Sequence, residues 1–311
     1  MGALDGRVAI ITGAGRGLGR EHALLFASEG AKVVVNDLGG EQGGGGADPT
    51  PAEQTVADIK AMGGEAVVNG DDVADWKGAQ RLVEQAVESF GDLHVLVNNA
   101  GILRDRVVVN MTEEEWDVVV QVHLKGHFAP SHFAANHWRQ QTKAGKDVNA
   151  AIVNTTSTSG LFANPGQANY DAAKSGIATL TQVMAKELVR YGVRANAIAP
   201  AARTRLTLST PGLEDAMAPP DDPNVFDTLH PGNVSPMVAY LSTADCTITG
   251  QTFLVVGGLV QRVQTWTLAE RVEQDDRWTV AALAARAGEL APGLPIEPGH
   301  MGHPTYRTGS A

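Results

Sequence analysis

The chain has 311 residues, with 24 lysines and arginines against 35 aspartates and glutamates, and a formal net charge of −11. That acidic balance lacks the positive field a nucleic-acid or anionic-membrane binder needs, so any phosphate site has to be local, built from backbone N–H groups or a few arginines. One cysteine, Cys246, excludes an intrachain disulfide and any multi-cysteine metal site, and 43% hydrophobic residues is ordinary for a soluble globular chain.

In chain order, short runs rich in Val and Ile alternate with longer helical patterns. Strands are predicted at Val8–Ile11, Val33–Val35, Ala66–Val68, Val95–Val97, Ala151–Val153, Ala195–Ile198 and Phe253–Val256. Helices are predicted at Glu21–Ser28, Ala52–Met62, Lys77–Phe90, Glu113–Trp138, Asn169–Arg190 and Pro236–Leu241. Continuously apolar strands are buried on both faces, and strand–helix alternation implies a parallel sheet with helices on each side. The prediction is an α/β fold: one domain over residues 1–260, a doubly wound parallel sheet of seven strands flanked by helices, then a C-terminal extension over 261–311.

Three segments interrupt the series. Gly39–Ala47 reads as a flexible surface insertion, and Ser209–Asn233 as a mobile loop over the site after the sixth strand. The tail from Gln261 carries a helix candidate at Thr279–Leu290 and then the Pro/Gly-rich Ala291–Pro304; Trp266, Trp278 and that helix offer apolar area for packing on a neighbouring subunit. No apolar run approaches the ~20 residues of a membrane span. The N-terminal segment lacks a basic region followed by a long apolar stretch, and Thr308–Ala311 is not a Ser-Lys-Leu signal, so the expected location is the cytoplasm.

Thr12–Gly19, TGAGRGLG, follows the first strand and opens the first helix. Glycines at Gly13, Gly17 and Gly19 let the backbone turn tightly and approach a pyrophosphate, and the helix N-terminus at Leu18 supplies unpaired N–H donors. Asp37 ends the second strand, where its carboxylate accepts from adenosine ribose hydroxyls and repels a 2′-phosphate, favouring NAD over NADP. Arg16 is either a phosphate partner or a solvated helix-start residue. Asp72 and Val73 either hold the adenine edge or form a helix-start cap.

Tyr170 and Lys174 lie four apart in a helical pattern, on one face. A phenol is mostly protonated at neutral pH, and a neighbouring ammonium lowers its pKa, making Tyr170 an acid or base for a substrate hydroxyl. Ser157, at the end of the fifth strand, can orient or polarise the substrate oxygen.

With Asn98-Asn99-Ala100-Gly101 after the fourth strand, these residues resemble the short-chain dehydrogenase/reductase family over roughly residues 5–260. The resemblance implies a Rossmann sheet, a nicotinamide cofactor and usually a tetramer. It implies that Tyr170 is the general acid/base, that Lys174 holds the nicotinamide ribose and lowers the Tyr170 pKa, and that Ser157 positions the substrate oxygen. The backbone of Asn99, Ala100 and Gly101 lines the cofactor. A narrower set, Asn36–Gly40, Asn98–Arg106, Val122–Leu124 and Gly166–Tyr170, resembles the (3R)-hydroxyacyl-CoA dehydrogenase unit of peroxisomal multifunctional enzymes and their bacterial relatives, which act on fatty acyl-CoA or steroid substrates.

The chain departs from the family pattern twice. His123 stands where many members carry an Asn that holds a relay water; a histidine there either binds that water, titrating near neutral pH, or is a buried support of its helix. Pro200-Ala201-Ala202-Arg203 replaces the usual Pro-Gly, leaving open whether Thr204 or Thr207 touches the nicotinamide. The leading reading is an NAD-dependent dehydrogenase of a secondary alcohol, a 3-hydroxyacyl-CoA, acting as a homo-oligomer, tetramer or dimer; Arg104, Arg106, Arg203 and Arg205 are each either a CoA-binding cation or ordinary surface charge. Alternatives are a hydroxysteroid dehydrogenase and a non-catalytic NAD-binding scaffold. No metal, nucleic acid or membrane partner is expected.

Overall fold

A computed structural model describes residues 2–40, 46, 48, 50–208, 217–264 and 266–290, without the Leu206 side chain. The Gly39–Ala47 insertion and the Ser209–Asn233 loop fall partly outside the described residues, and Ala291–Pro304 wholly outside them. The chain forms two compact units, residues 1–263 and 264–311.

The first unit alternates strands and helices: β1 (Val8–Thr12), α1 (Gly17–Ser28), β2 (Lys32–Asn36), α2 (Thr50–Ala61), β3 (Glu65–Asn69), α3 (Trp76–Phe90) and β4 (Val95–Asn98). Then come α4 (Glu113–Val120), a π-helical turn (Gln121–Lys125), α5 (Gly126–Lys143), β5 (Ala150–Thr155), α6 (Thr158–Phe162), α7 (Ala168–Leu188) and β6 (Val193–Ala201). The unit ends with α8 (Arg205–Leu208), α9 (Ser235–Ser242), β7 (Thr252–Val256) and β8 (Leu259–Val263). The sheet order is β3-β2-β1-β4-β5-β6-β7-β8, parallel through β7.

All seven predicted strands form, and the sheet has an eighth. Val256 pairs with Leu259 antiparallel across Gly257-Gly258, and Gly257 has φ 53°, the conformation a two-residue hairpin requires. Gln261–Val263, read in the sequence as the start of the extension, are the last three of the five residues of β8. This strand is mostly exposed, so it lacks the continuous apolar run that marks the buried ones.

The period-2 geometry of a strand explains the two cores. Ile11, Val33 and Val35 pack with Phe26, Ile59 and Val238 on one face. Ile10 and Val34 pack with Leu82, Leu96 and Trp138 on the other. The predicted helix Glu113–Trp138 is interrupted at the π turn. Farther along, Pro130 has no N–H to donate to the Gly126 carbonyl, which weakens the first turn of α5.

The strand order reverses at β1 and β4, which opens a crevice beyond the C-terminal ends of these strands. Among the described residues, no helix is long and apolar enough to cross a membrane. In the second unit, α10 (Val280–Leu290) carries an Arg286–Glu289 ion pair at 2.7 Å, and the Arg286 guanidinium lies 5.9 Å from the Trp278 ring centre.

Candidate active site

A crevice of about 350 Å³ lies at the reversal of strand order. Its first wall is the glycine loop between β1 and α1. Gly13 has φ 64°, and a Cβ there would fall 2.8 Å from the Ala100 Cα. Gly17 has φ 53° and faces the Thr204 methyl. Gly19 does not line the crevice: a Cβ on it would lie 2.2 Å from the Gly13 carbonyl oxygen, so its smallness lets α1 close on the loop. Asn99 braces the loop by donating its amide to the Thr12 and Gly13 carbonyls, at 3.0 and 3.3 Å. The Thr12 hydroxyl in turn accepts from the Asn99 and Ala100 N–H groups, at 2.9 and 3.1 Å.

Asp37 sits at the end of β2, lining the crevice. Its two oxygens accept from the Gly15 N–H at 2.8 Å and the Gly39 N–H at 2.7 Å, which fixes the carboxylate and leaves lone pairs for a ribose. Asp72 and Val73 line the same crevice. Asp72 accepts from the Ala74 N–H at 2.8 Å, while Asp75 is the residue that caps α3, accepting from Gly78 at 2.7 Å. Arg16 is exposed at the start of α1, with its guanidinium 3.8 Å from Asp48.

Ser157, Tyr170 and Lys174 line the other end, with Ala100, Gly101 and Pro200. Ser157 caps α6, accepting from the Ser159 N–H at 3.2 Å. Tyr170 lies in the first turn of α7 and Lys174 one turn on, its Nζ 5.5 Å from the Tyr170 ring centre. The ammonium donates to the Thr155 carbonyl at 2.6 Å, and Thr156 donates its hydroxyl to the Lys174 carbonyl at 2.6 Å, so the end of β5 locks the lysine in place.

The electrostatics differ from the sequence expectation. Burial pushes the Tyr170 phenol up to about 12; the Ser157 hydroxyl pulls it down, while Asp171 and Asp105 push it up. Burial pulls Lys174 down to about 7. The expected lowering of the phenol by the ammonium is not found: Lys174 is turned to Thr155 and is itself reluctant to hold charge in this dry setting.

His123 sits on the π turn, edge-on to Tyr170 with ring centres 5.1 Å apart. Its Nε2 lies 2.8 Å from the Ile102 carbonyl oxygen and 3.1 Å from the Ile102 nitrogen, and its buried Nδ1 has no partner among the described residues. Burial first, then the Lys174 charge, pull it down to about 3. It is therefore neutral throughout the physiological range, which favours the second of the two alternatives, a buried support, over a histidine that titrates near neutral pH.

The β6 loop resolves the threonine alternatives in part. Both line the crevice, but the Thr207 hydroxyl is committed to the Ala202 carbonyl at 3.0 Å and the Thr204 N–H at 2.7 Å, whereas Thr204 faces Gly17. Of the four arginines, Arg203 pairs with Asp227 and Arg106 with Glu115 at 2.9 Å. Arg205 lines the crevice and donates to the Gly40 carbonyl at 3.2 Å, and Arg104 is exposed. Sequence reading missed Ile102, Val118, Gln121 and Val122, which line the crevice on the side of His123. Val118, Gln121 and Val122 fall in the predicted helix Glu113–Trp138, whose spacing does not separate wall from core, and Ile102 lies in the loop after the fourth strand.

A family model described as short chain dehydrogenase matches residues 7–210. A crystal structure of a short chain dehydrogenase from Mycobacterium avium is 48% identical and superposes with a TM-score of 0.83, covering 94% of this chain and 98% of that one. The hydroxyacyl-CoA dehydrogenase ChsB1 of Mycobacterium tuberculosis is 41% identical over 290 residues, 91% of this chain and 87% of that protein. The peroxisomal hydratase-dehydrogenase-epimerase of Neurospora crassa is 38% identical over 308 residues, 98% of this chain but 31% of that much longer protein. With the matched span, the sheet order and the crevice in agreement, the chain belongs to the short-chain dehydrogenase/reductase family and is an oxidoreductase acting on CH–OH groups.

Proposed function

We propose that this oxidoreductase is NAD-dependent and interconverts a 3-hydroxyacyl-CoA and its 3-oxoacyl-CoA in fatty-acid or steroid side-chain breakdown. The observation that carries the reading is one crevice lined at one end by Gly13, Gly17 and Asp37 and at the other by Ser157, Tyr170 and Lys174. The residues present fit a dinucleotide: Gly13 keeps the loop close against the Ala100 backbone, where a Cβ would clash, and Asp37, held by two backbone N–H groups, keeps lone pairs to accept from an adenosine ribose. A fixed carboxylate there disfavours a 2′-phosphate, which supports NAD. The acyl-CoA class is supported by the name of one similar protein, the hydroxyacyl-CoA dehydrogenase ChsB1.

When bound, the nicotinamide supplies the hydride acceptor. Tyr170 takes the hydroxyl proton, and Ser157 donates a hydrogen bond to the substrate oxygen as its negative charge develops. Lys174, held by Thr155, would hold the nicotinamide ribose, and its charge, once stabilised there, would favour the phenolate. His123 stays neutral and fixes the Ile102 backbone beside the reacting centre. Residues 264–290, with Trp266 and Leu268 exposed, support the reading of the extension as a packing surface for a neighbouring subunit in a tetramer or dimer.

The test is an NAD-reduction assay across 3-hydroxyacyl-CoA chain lengths, beside hydroxysteroids and with NADP as control. Acyl-CoA turnover is expected to lead, and Tyr170→Phe is expected to cut kcat by about 10³-fold with NAD affinity within about twofold. Full activity in that variant removes Tyr170 from the chemistry, and preference for free steroids or NADP overturns the substrate or cofactor assignment.

A further inference from the structure

Two carboxylates beside Tyr170 have no part in the chemistry so far. Asp171 follows it in α7; one oxygen accepts from the Asn164 N–H at 2.5 Å, and the other, Oδ1, is buried with no partner among the described residues. Asp105 lies on the segment after β4. One oxygen accepts from the Gln167 amide at 2.9 Å, and its Oδ1 is likewise buried and unpartnered among the described residues. Asn164 donates its side chain to Gln167 at 2.8 Å, so a single run of hydrogen bonds, Asp171–Asn164–Gln167–Asp105, ties the two carboxyls together. The Arg106 N–H donates to the Gly166 carbonyl at 2.7 Å and the Asn169 amide to the Arg104 carbonyl at 2.9 Å, fastening the same two segments on either side. Ala163, just before Asn164, has φ 61°, a strained value for a residue with a Cβ. Backbone strain and two half-buried carboxyl groups, each with one unpartnered oxygen among the described residues, thus lie next to the candidate general base.

We propose that Asp105 and Asp171 are a coupled carboxyl pair whose charge tunes the acidity of Tyr170 on top of its burial, and so are positioning residues for its proton transfer. This rests on the reading of Tyr170 as the acid/base. Like charges close together in a dry setting resist ionising together, and each also resists a phenolate nearby. The directions agree: burial and the Asp105 charge hold Asp171 up, at about 6, and both carboxylates push Tyr170 up. The other groups around Tyr170 do not cancel this. His123 is neutral, Lys174 is turned to Thr155, Arg106 is paired with Glu115, and Arg104 is exposed. The ionised pair therefore keeps the proton on Tyr170, and neutralising one member releases it at lower pH.

Two measurements on the full chain test the pair. The first is NMR of 13C-labelled aspartate, with Asp105→Asn and Asp171→Asn assigning the two carboxyl signals; it needs no substrate. Asp171 is expected to titrate near pH 6 and to move lower in Asp105→Asn. A midpoint in the ordinary carboxylate range, or one that Asp105→Asn leaves in place, overturns the coupling. The second is the pH profile of kcat/KM for alcohol oxidation. Asp171→Asn keeps an oxygen for the Asn164 N–H and is expected to shift the rising limb to lower pH, a gain of about threefold at a fixed pH on that limb. A purely structural role changes the melting temperature and leaves the limb in place, and that result overturns the proposal. Absence of wild-type turnover counts against the enzymatic reading alone, since the carboxyl titration still decides the pair.

Discussion

Asn169 is buried against the candidate base and satisfies three backbone groups with one side chain. Its amide donates to the Arg104 and Glu115 carbonyls, both at 2.9 Å, and its oxygen accepts from the Tyr170 N–H at 2.7 Å. Asn169→Ala leaves two carbonyls and one N–H without these partners and frees the 104 segment and α4 to drift from Tyr170. The expected cost is about 2 kcal/mol in stability, read by denaturant melts, with kcat down about tenfold. Unchanged kcat at reduced stability makes Asn169 merely structural. None of this was legible in the sequence, because its partners lie 65 and 54 residues away. Tyr170, Lys174, Ser157 and Asp37 were legible because their placement is local: an i,i+4 pair on one helix face and residues at strand ends. What those groups do with a proton was not legible, since burial sets the direction for both Tyr170 and Lys174 and leaves no mark in residue spacing.

The π turn Gln121–Lys125 is the element that brings His123 to Tyr170. Read as one helix, Glu113–Trp138 has the same apolar stripe with or without the extra residue in the turn, so hydrophobic spacing passes over it. A single-residue deletion, of Val122, is expected to close the wide turn to α-helical geometry while the flanking segments keep their faces, so that only the residues of the turn itself move. His123 then leaves Ile102, and activity is expected to fall at least about tenfold while far-UV circular dichroism stays native. Wild-type kcat/KM in that deletion shows the turn to be incidental. The β7–β8 hairpin was missed for a different reason. Its signal, Gly257-Gly258 after an apolar run, is present, but β8 is antiparallel and exposed and so lacks the continuous apolar run that marks the parallel, doubly buried strands.

At the scale of the molecule, the parallel sheet was legible because each strand is apolar on both faces and each connection is helical. The buried titratable load was not, because a histidine inside a helix reads the same whether wet or dry. His22 is enclosed with its Nδ1 2.7 Å from the Ser235 hydroxyl, and burial pulls it down to about 3. His123 is pulled down as far, and His127 well below its ordinary value. In the folded state these rings bind fewer protons than in the unfolded chain between pH 6.5 and about 3. Stability therefore falls as pH drops through that window. Asp171, raised to about 6, and Asp105, also raised, work the other way below that pH, because the native state then holds the extra protons. Lys174, lowered to about 7, adds stability as pH rises from 7 toward its ordinary 10.5. A difference measurement isolates one ring from this mixture. Subtracting the pH dependence of the unfolding free energy of His22→Gln from that of the wild type is expected to leave a slope of about 1.4 kcal/mol per pH unit between pH 6 and 4, wild type steeper. Parallel curves mean that His22 holds its proton inside the fold or that water reaches it, and either removes it from the acid lability of the protein.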